Sequence, residues 1–315
     1  MSMPLCVHPY RSAGAAEGRA GEPAYVRRFC ARLLTRGARW EAFVLARPSG
    51  WARGVRLRPP GRVRGRLLVF HGAGNDPWFP HLELYDQVVA AGWEVVAPPL
   101  DGHGRGSTTR LDPAALPSLV PQAVAAASAL RPAVPLALVG YSLGGAVLVQ
   151  GLPMVPPAGV VGAVGLGVPA RLRARATALW LETLDVLTHP RTLAAALRRC
   201  GLAGLPPAVG PFLRRRYPLR LAQPPRSRWR RRLGLGYLEA LARFWDEVFR
   251  PRPARVPLRL VVGGRDRFAP PADAAAIAAA TGAEVEPWPH HGHFRLALDP
   301  AVAAALLRWA EDAAG

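Results

Sequence analysis

The stretch Val139-Gly140-Tyr141-Ser142-Leu143-Gly144-Gly145 decides the fold. It follows Pro135-Leu136-Ala137-Leu138-Val139, an apolar run of the kind buried on both faces in a parallel sheet, and it opens a helical pattern over Gly144–Gly151. A strand that passes into a helix through Gly-x-Ser-x-Gly needs a sharp turn, in which side chains at positions 140 and 144 would collide with neighbouring backbone. The turn lifts the Ser142 hydroxyl clear of the sheet. It also aims a helix N-terminus at the charge that forms when that oxygen attacks a carbonyl. The competing reading is a glycine-rich turn with a capping serine, and the strand before and the helix after favour a nucleophile.

Outward from this turn, strand and helix patterns alternate. Towards the N-terminus lie a hairpin-like pair (Trp40 to Gly50, then Gly54 to Gly61), the apolar run Leu67 to Phe70, a helix over His81 to Ala91, a strand at Trp93 to Ala97 and a helix over Pro113 to Leu130. A strand over Val160 to Gly167 follows, and the alternation resumes at Val256 with a strand, a helix at Pro271 to Thr281, a strand at Glu284 to Trp288 and a helix at Pro300 to Ala310. Such alternation predicts an α/β protein with a mostly parallel sheet, helices on both faces and ligands bound beyond the carboxyl ends of the strands. Residues 169–255 break the pattern with arginine runs, aromatic residues and helical stretches such as Ala178 to Leu187, so they read as an insertion. The expected organisation is an extension over 1–36 carrying a short surface helix from Tyr25 to Arg36, a core over 37–168 and 256–315, and a helical insertion over 169–255.

A serine hydroxyl is a weak nucleophile without a base, and the base needs an orienting carboxylate. Asp266 sits in Arg265-Asp266-Arg267, just past the strand Leu258 to Gly264, where an orienting acid belongs; the alternative is an exposed ion pair of little consequence. After the next strand come His290, His291 and His293, of which His293 is the expected base and His291 its rival. As a metal pattern, His-His-x-His without a carboxylate cluster is weak. Two backbone N–H groups are expected to hold an oxyanion, one from Leu143 and one from His71-Gly72-Ala73-Gly74, with Ala73 preferred over Gly74 and His71 supporting the loop.

In this order and spacing the four pieces resemble the α/β-hydrolase fold family, over roughly residues 40–168 and 256–310. The loop Leu100-Asp101-Gly102-His103-Gly104-Arg105-Gly106-Ser107 resembles the one that follows the fourth strand in many members, with Asp101 and His103 organising it. The resemblance implies an eight-stranded, mostly parallel sheet, a triad of Ser142, Asp266 and His293, no metal or organic cofactor, and a helical cap inserted after the sixth strand. Its aromatic residues are expected mainly to pack the cap's own core.

Composition bounds the rest. The chain has 315 residues and no lysine, so all 41 basic residues are arginine, giving a formal charge of +20. Mean hydropathy is near zero at +0.09, and half of the residues are apolar, which excludes a disordered chain. No run approaches the roughly 18 apolar residues of a membrane span, and the N-terminal stretch lacks the apolar core of a signal peptide, so a cytoplasmic protein is expected. Cys6, Cys30 and Cys200 are odd in number, widely spaced and read as ordinary thiols.

One isoleucine, one asparagine and abundant Ala, Arg, Gly, Pro and Leu point to coding bias as one source of the arginine. The charge is nevertheless uneven, since residues 169–255 hold nineteen arginines against five carboxylates, a balance of +14. The leading expectation is a serine hydrolase of carboxylic esters, acting on a small-molecule ester or thioester. Next come a thioesterase or lysophospholipase acting on an anionic acyl substrate, with Arg214, Arg215, Arg216 or Arg230 at the pocket mouth and peripheral contact with anionic lipid, and then a non-catalytic binding protein of the same fold. Nucleic acid is not an expected partner, because no binding motif accompanies the charge.

Overall fold

The order of strands positions everything else. The computed structural model describes residues 24–104, 106–130, 132–173, 176–200, 220–222 and 236–315. Eight strands form one sheet: β1 (Arg39–Arg47), β2 (Gly50–Arg58), β3 (Gly65–Phe70), β4 (Trp93–Ala97), β5 (Leu136–Tyr141), β6 (Val160–Leu166), β7 (Leu258–Gly263) and β8 (Glu284–Trp288). Their spatial order is β1-β2-β4-β3-β5-β6-β7-β8. β2 runs antiparallel to β1 and to β4, and every other pairing is parallel. The apolar runs of β3, β4 and β5 are buried at every position, as strands covered on both faces must be. The chain winds outwards from β3 to β4 and then returns past β3 to β5. The crevice beyond the carboxyl ends of β3 and β5 is therefore a topological switch point, where open α/β sheets bind ligands.

The helices follow in chain order: α1 (Ala24–Thr35), α2 (Leu82–Ala90), α3 (Leu119–Ser128), α4 (Leu143–Gly151), α5 (Ala176–Leu187), α6 (Pro190–Cys200), α7 (Gly236–Arg243), α8 (Pro271–Thr281), α9 (His293–Leu298) and α10 (Pro300–Ala314). α3 starts later than the expected Pro113, after a 3-10 turn at Leu116–Ser118, because prolines at 113, 117 and 121 are accommodated only in turns or a first helical turn. α7 ends in a π-helical turn over Phe244–Val248. No helix among the described residues is long and apolar enough to cross a membrane.

Two expectations are corrected here. α1 is not a mere surface helix: Tyr25, Val26, Phe29, Cys30 and Leu33 form one stripe that is buried in the core, where Phe29 meets Trp78 edge-on at 6.3 Å. Nor do the described aromatic residues between β6 and β7 mainly pack a core of their own. Tyr237, Phe244, Trp245 and Phe249 join the core cluster that includes α3, α4 and β5, because α7 and its π turn lie directly over that face. Phe212, Tyr217 and Trp229 lie outside the described residues.

Candidate active site

Ser142 is the one non-glycine residue with positive φ among the described residues, at φ 52° and ψ −117°. Backbone geometry of this kind costs on the order of 1–3 kcal/mol and persists only where its surroundings impose it. Here the Ser142 N–H donates to Leu166 O at 2.9 Å and its carbonyl accepts from Ala146 N at 2.9 Å, which pins the turn from β5 into α4 against the neighbouring β6. A Cβ on Gly140 would lie 2.6 Å from Gly144 O, and one on Gly144 would overlap the carbonyls of Phe70 and His71, so Gly140 lets β5 turn closely into α4 and Gly144 lets α4 pass against the end of β3.

The turn delivers the Ser142 hydroxyl to His293, whose Nε2 lies 3.0 Å from Oγ. On the far side of the ring, Nδ1 lies 2.7 Å from Asp266 Oδ2. Asp266 Oδ1 accepts from the backbone N–H groups of Phe268 (2.9 Å) and Ala269 (2.7 Å), which holds the carboxylate still. With the N–H on Nδ1 donated to the carboxylate, the Nε2 lone pair is left to accept from serine. The imidazole packs against the ring of Tyr141 (centroids 5.0 Å apart) and edge-on to Phe268 (5.2 Å). Burial pulls the His293 pKa down, yet the Asp266 charge and hydrogen bond, helped by Glu182, outweigh it and leave the pKa above the ordinary histidine value.

The expected residues thus lie together, and their alternatives lie elsewhere. Asp266 is 3% exposed and makes none of the ion pairs with its flanking arginines that an exposed reading would require. His291 turns away to Asp299, at 3.1 Å, and His290 is exposed at the loop surface. Among the described residues no cluster of His, Cys, Asp and Glu could hold a metal ion.

In the loop after β3, the buried His71 accepts from Leu100 N (3.0 Å) and donates to Gly72 O (2.8 Å), tying this loop to the one after β4. Burial and the neighbouring His103 hold its pKa well below the ordinary value, so it is neutral. Asp101 forms a buried ion pair with Arg47 at 2.6 Å. His103 lies 2.8 Å from the Tyr237 hydroxyl, which in turn receives the Gly74 N–H at 2.9 Å. Gly74 is therefore engaged by α7, whereas Ala73 lines the pocket beside Ser142.

That pocket opens to solvent over Ser142 and His293, about 630 Å³ with its open mouth included, and is walled by Leu172, Leu238, Leu241, Trp245, Phe268 and Phe294. Its polar exceptions are Asn75 and Arg173. Arg173 is held by both oxygens of Asp273 on α8, at 2.8 Å for Nη2, so its charge is already paired. Arg214, Arg215, Arg216 and Arg230 lie outside the described residues. Sequence reasoning passed over Tyr237, Glu182 and Asp185; the last two were visible only as acids three apart on an otherwise apolar helix.

A family model described as Alpha/beta hydrolase family matches residues 67–306. No curated protein matches the sequence. Among solved structures, a thermophilic esterase from Thermogutta terrifontis is 17% identical, with 86% of this chain and 97% of that chain covered and a TM-score of 0.54. A soluble variant of monoglyceride lipase from Saccharomyces cerevisiae is 16% identical over 84% and 93% of the two chains, with a TM-score of 0.54. The thioesterase domain from the curacin biosynthetic pathway is 22% identical over 87% and 99%, with a TM-score of 0.51. At these identities the likeness is one of fold.

Proposed function

The chain belongs to the alpha/beta hydrolase family, and on that premise we propose that it is a serine hydrolase that cleaves carboxylic esters through an acyl-enzyme on Ser142. The observation that carries the proposal is the unbroken relay from Ser142 Oγ to His293 Nε2 and from Nδ1 to Asp266, at 3.0 and 2.7 Å, at the floor of an apolar pocket. As Oγ attacks the acyl carbonyl, His293 takes its proton and Asp266 keeps the ring in the required tautomer and steadies the imidazolium. The N–H groups of Ala73 and Leu143 receive the oxyanion; a preorganised donor of this kind is worth roughly 3 kcal/mol in the transition state. His293 then returns the proton to the leaving alcohol. Water, deprotonated by the same imidazole, releases the acid and restores Ser142. The apolar walls fit an acyl chain, and the pairing of Arg173 with Asp273 leaves that cation committed to α8.

The direct test is a p-nitrophenyl ester series from acetyl to palmitoyl, run beside Ser142→Ala. A maximum at one chain length that vanishes in the variant supports the proposal; equal turnover by the folded variant removes it.

A second reading, lysophospholipid hydrolysis at an anionic lipid surface, is favoured by the outer face of α5. Trp180 (72% exposed), Leu181, Leu184 and Leu187 form one exposed apolar stripe, and exposed Arg171 and Arg191 flank the helix in sequence. Flotation with phosphatidylglycerol vesicles separates the readings: Trp180→Asp with Leu184→Asp abolishes flotation and lysolipid turnover if this face meets lipid, and leaves both intact if it does not.

A further inference from the structure

Glu182 lies on α5, outside the residues assigned to the chemistry above, yet it is fully buried. Its two carboxylate oxygens reach two different catalytic loops. Oε1 accepts from the backbone N–H of Arg267, the residue after Asp266, at 2.8 Å, and Oε2 accepts from the backbone N–H of His293 itself at 2.5 Å. One turn along the same helix, Asp185 Oδ2 accepts from Gly292 N at 3.0 Å. Position 292 is fitted to these acids. A Cβ there would run into Glu182 Oε2 and approach Asp185 Oδ2 to 2.8 Å, so only glycine lets both carboxylates close on the loop.

We propose that Glu182 is a positioning residue that fastens the acid loop and the base loop together from a helix outside the sheet, setting the place and the charge balance of His293. The proposal rests on the serine hydrolase reading. Its physical basis is the spacing of three groups: the Asp266 carboxylate holds the far edge of the imidazole, Ser142 meets the near edge, and Glu182 fixes the backbone between them. The acid loop is irregular at Arg267, and His293 is the first residue of α9. Besides the Asp266–His293 pair, Arg265 N–H to His291 O (3.0 Å) and the Tyr141 hydroxyl to His293 O (3.3 Å) hold this corner, and Glu182 adds a side chain that grips both backbones directly. A misplacement of about 1 Å in such a constellation costs on the order of 10²-fold in rate.

The second consequence is electrostatic. Burial and the neighbouring Asp266 raise the Glu182 pKa, while His293 and the two N–H donors oppose that shift. The groups facing this cluster are Asp266 and the Arg267 guanidinium (3.7 Å from Glu182) on the acid loop, Asp185 on α5 with its partner Arg295 (3.4 Å) on α9, and the Tyr141 hydroxyl on β5. Two carboxylates thus bear on one imidazole, and removing one makes its protonated form harder to keep.

The test compares Glu182→Gln, Glu182→Asp and Gly292→Ala with wild type. Glu182→Gln keeps the shape but loses the charge and one of the two acceptors. It is expected to lower kcat about tenfold or more with KM little changed, and to move the acid limb of the kcat profile to lower pH. Glu182→Asp keeps the charge, so its acid limb stays in place while kcat falls. Gly292→Ala lowers kcat by pushing the carboxylates away without altering any charge. Titration of His293 by NMR in the Ser142→Ala background reads the same clamp without turnover: Glu182→Gln lowers the His293 pKa whether or not Ser142 is the nucleophile. A Glu182→Gln protein whose kcat and His293 titration match the parent overturns the proposal, as does one whose only change is in melting temperature or KM. Failure of the underlying reading is seen separately, as full turnover by Ser142→Ala.

Discussion

Replacing Ser142 by glycine rather than alanine measures the strain held at the turn. Both variants remove the hydroxyl, so they differ in whether a Cβ is forced into φ 52°, ψ −117°. Glycine occupies that region without steric cost, whereas a side chain there costs on the order of 1–3 kcal/mol. Against this, glycine loses about 0.5–1 kcal/mol more conformational entropy on folding. The net expectation is that Ser142→Gly is the more stable by roughly 1 kcal/mol. For a chain of this length, with a urea dependence near ~3 kcal/mol per molar, that is an upward midpoint shift of about 0.3 M. Paired urea titrations followed by fluorescence give the difference directly. A Ser142→Gly midpoint below that of Ser142→Ala would mean that the turn stores no strain, and the argument that its surroundings impose a costly backbone would fail.

Three further outcomes are expected. Because a general base works only when neutral, kcat/KM should fall on the acid side with a midpoint above the ordinary histidine value of about 6.5; a midpoint below it in a pH-rate series would contradict the Asp266 and Glu182 contributions to His293. His81 and His103 are buried with pKa values of about 3 and about 4, lowered by desolvation. The stability that these neutral rings contribute is present above pH 6.5 and is lost as the unfolded chain takes up protons below it. The slope is roughly 1.4 kcal/mol per pH unit per group down to the folded pKa, so urea midpoints should drop steeply between pH 6 and 4 and less so in His81→Gln. Tyr237→Phe strips the partner from Gly74 N and His103 Nε2 and should cost about 1–3 kcal/mol in thermal unfolding; an unchanged melting curve would show that α7 does not brace the loop after β3.

Features carried by local pattern were legible in the sequence. The apolar runs of β3, β5 and β6, the glycines that let β5 pass into α4, and the placement of Asp266 and His293 just beyond strands all follow from short-range chemistry, and these residues do lie within hydrogen-bonding distance of one another. Features made by distant packing were not. Glu182 and Asp185 read as ordinary helix charges until α5 is set against the base loop, more than 100 residues away. α1 reads as superficial because its stripe of Tyr25, Val26, Phe29 and Leu33 is short and lies among arginines, and its partners, Trp78 among them, come from distant segments of the chain. Tyr237 was one aromatic among many, and its role depends on α7 meeting two loops from the opposite end of the chain.

The most direct test of the acyl-enzyme is to trap it. Mixing the protein with p-nitrophenyl butyrate, quenching in acid and mapping peptides by mass should place one butyryl group on Ser142, with a burst of about one nitrophenolate per chain. Turnover without acylation of Ser142, or a butyryl group carried on another residue at equal rate in Ser142→Ala, would contradict the mechanism.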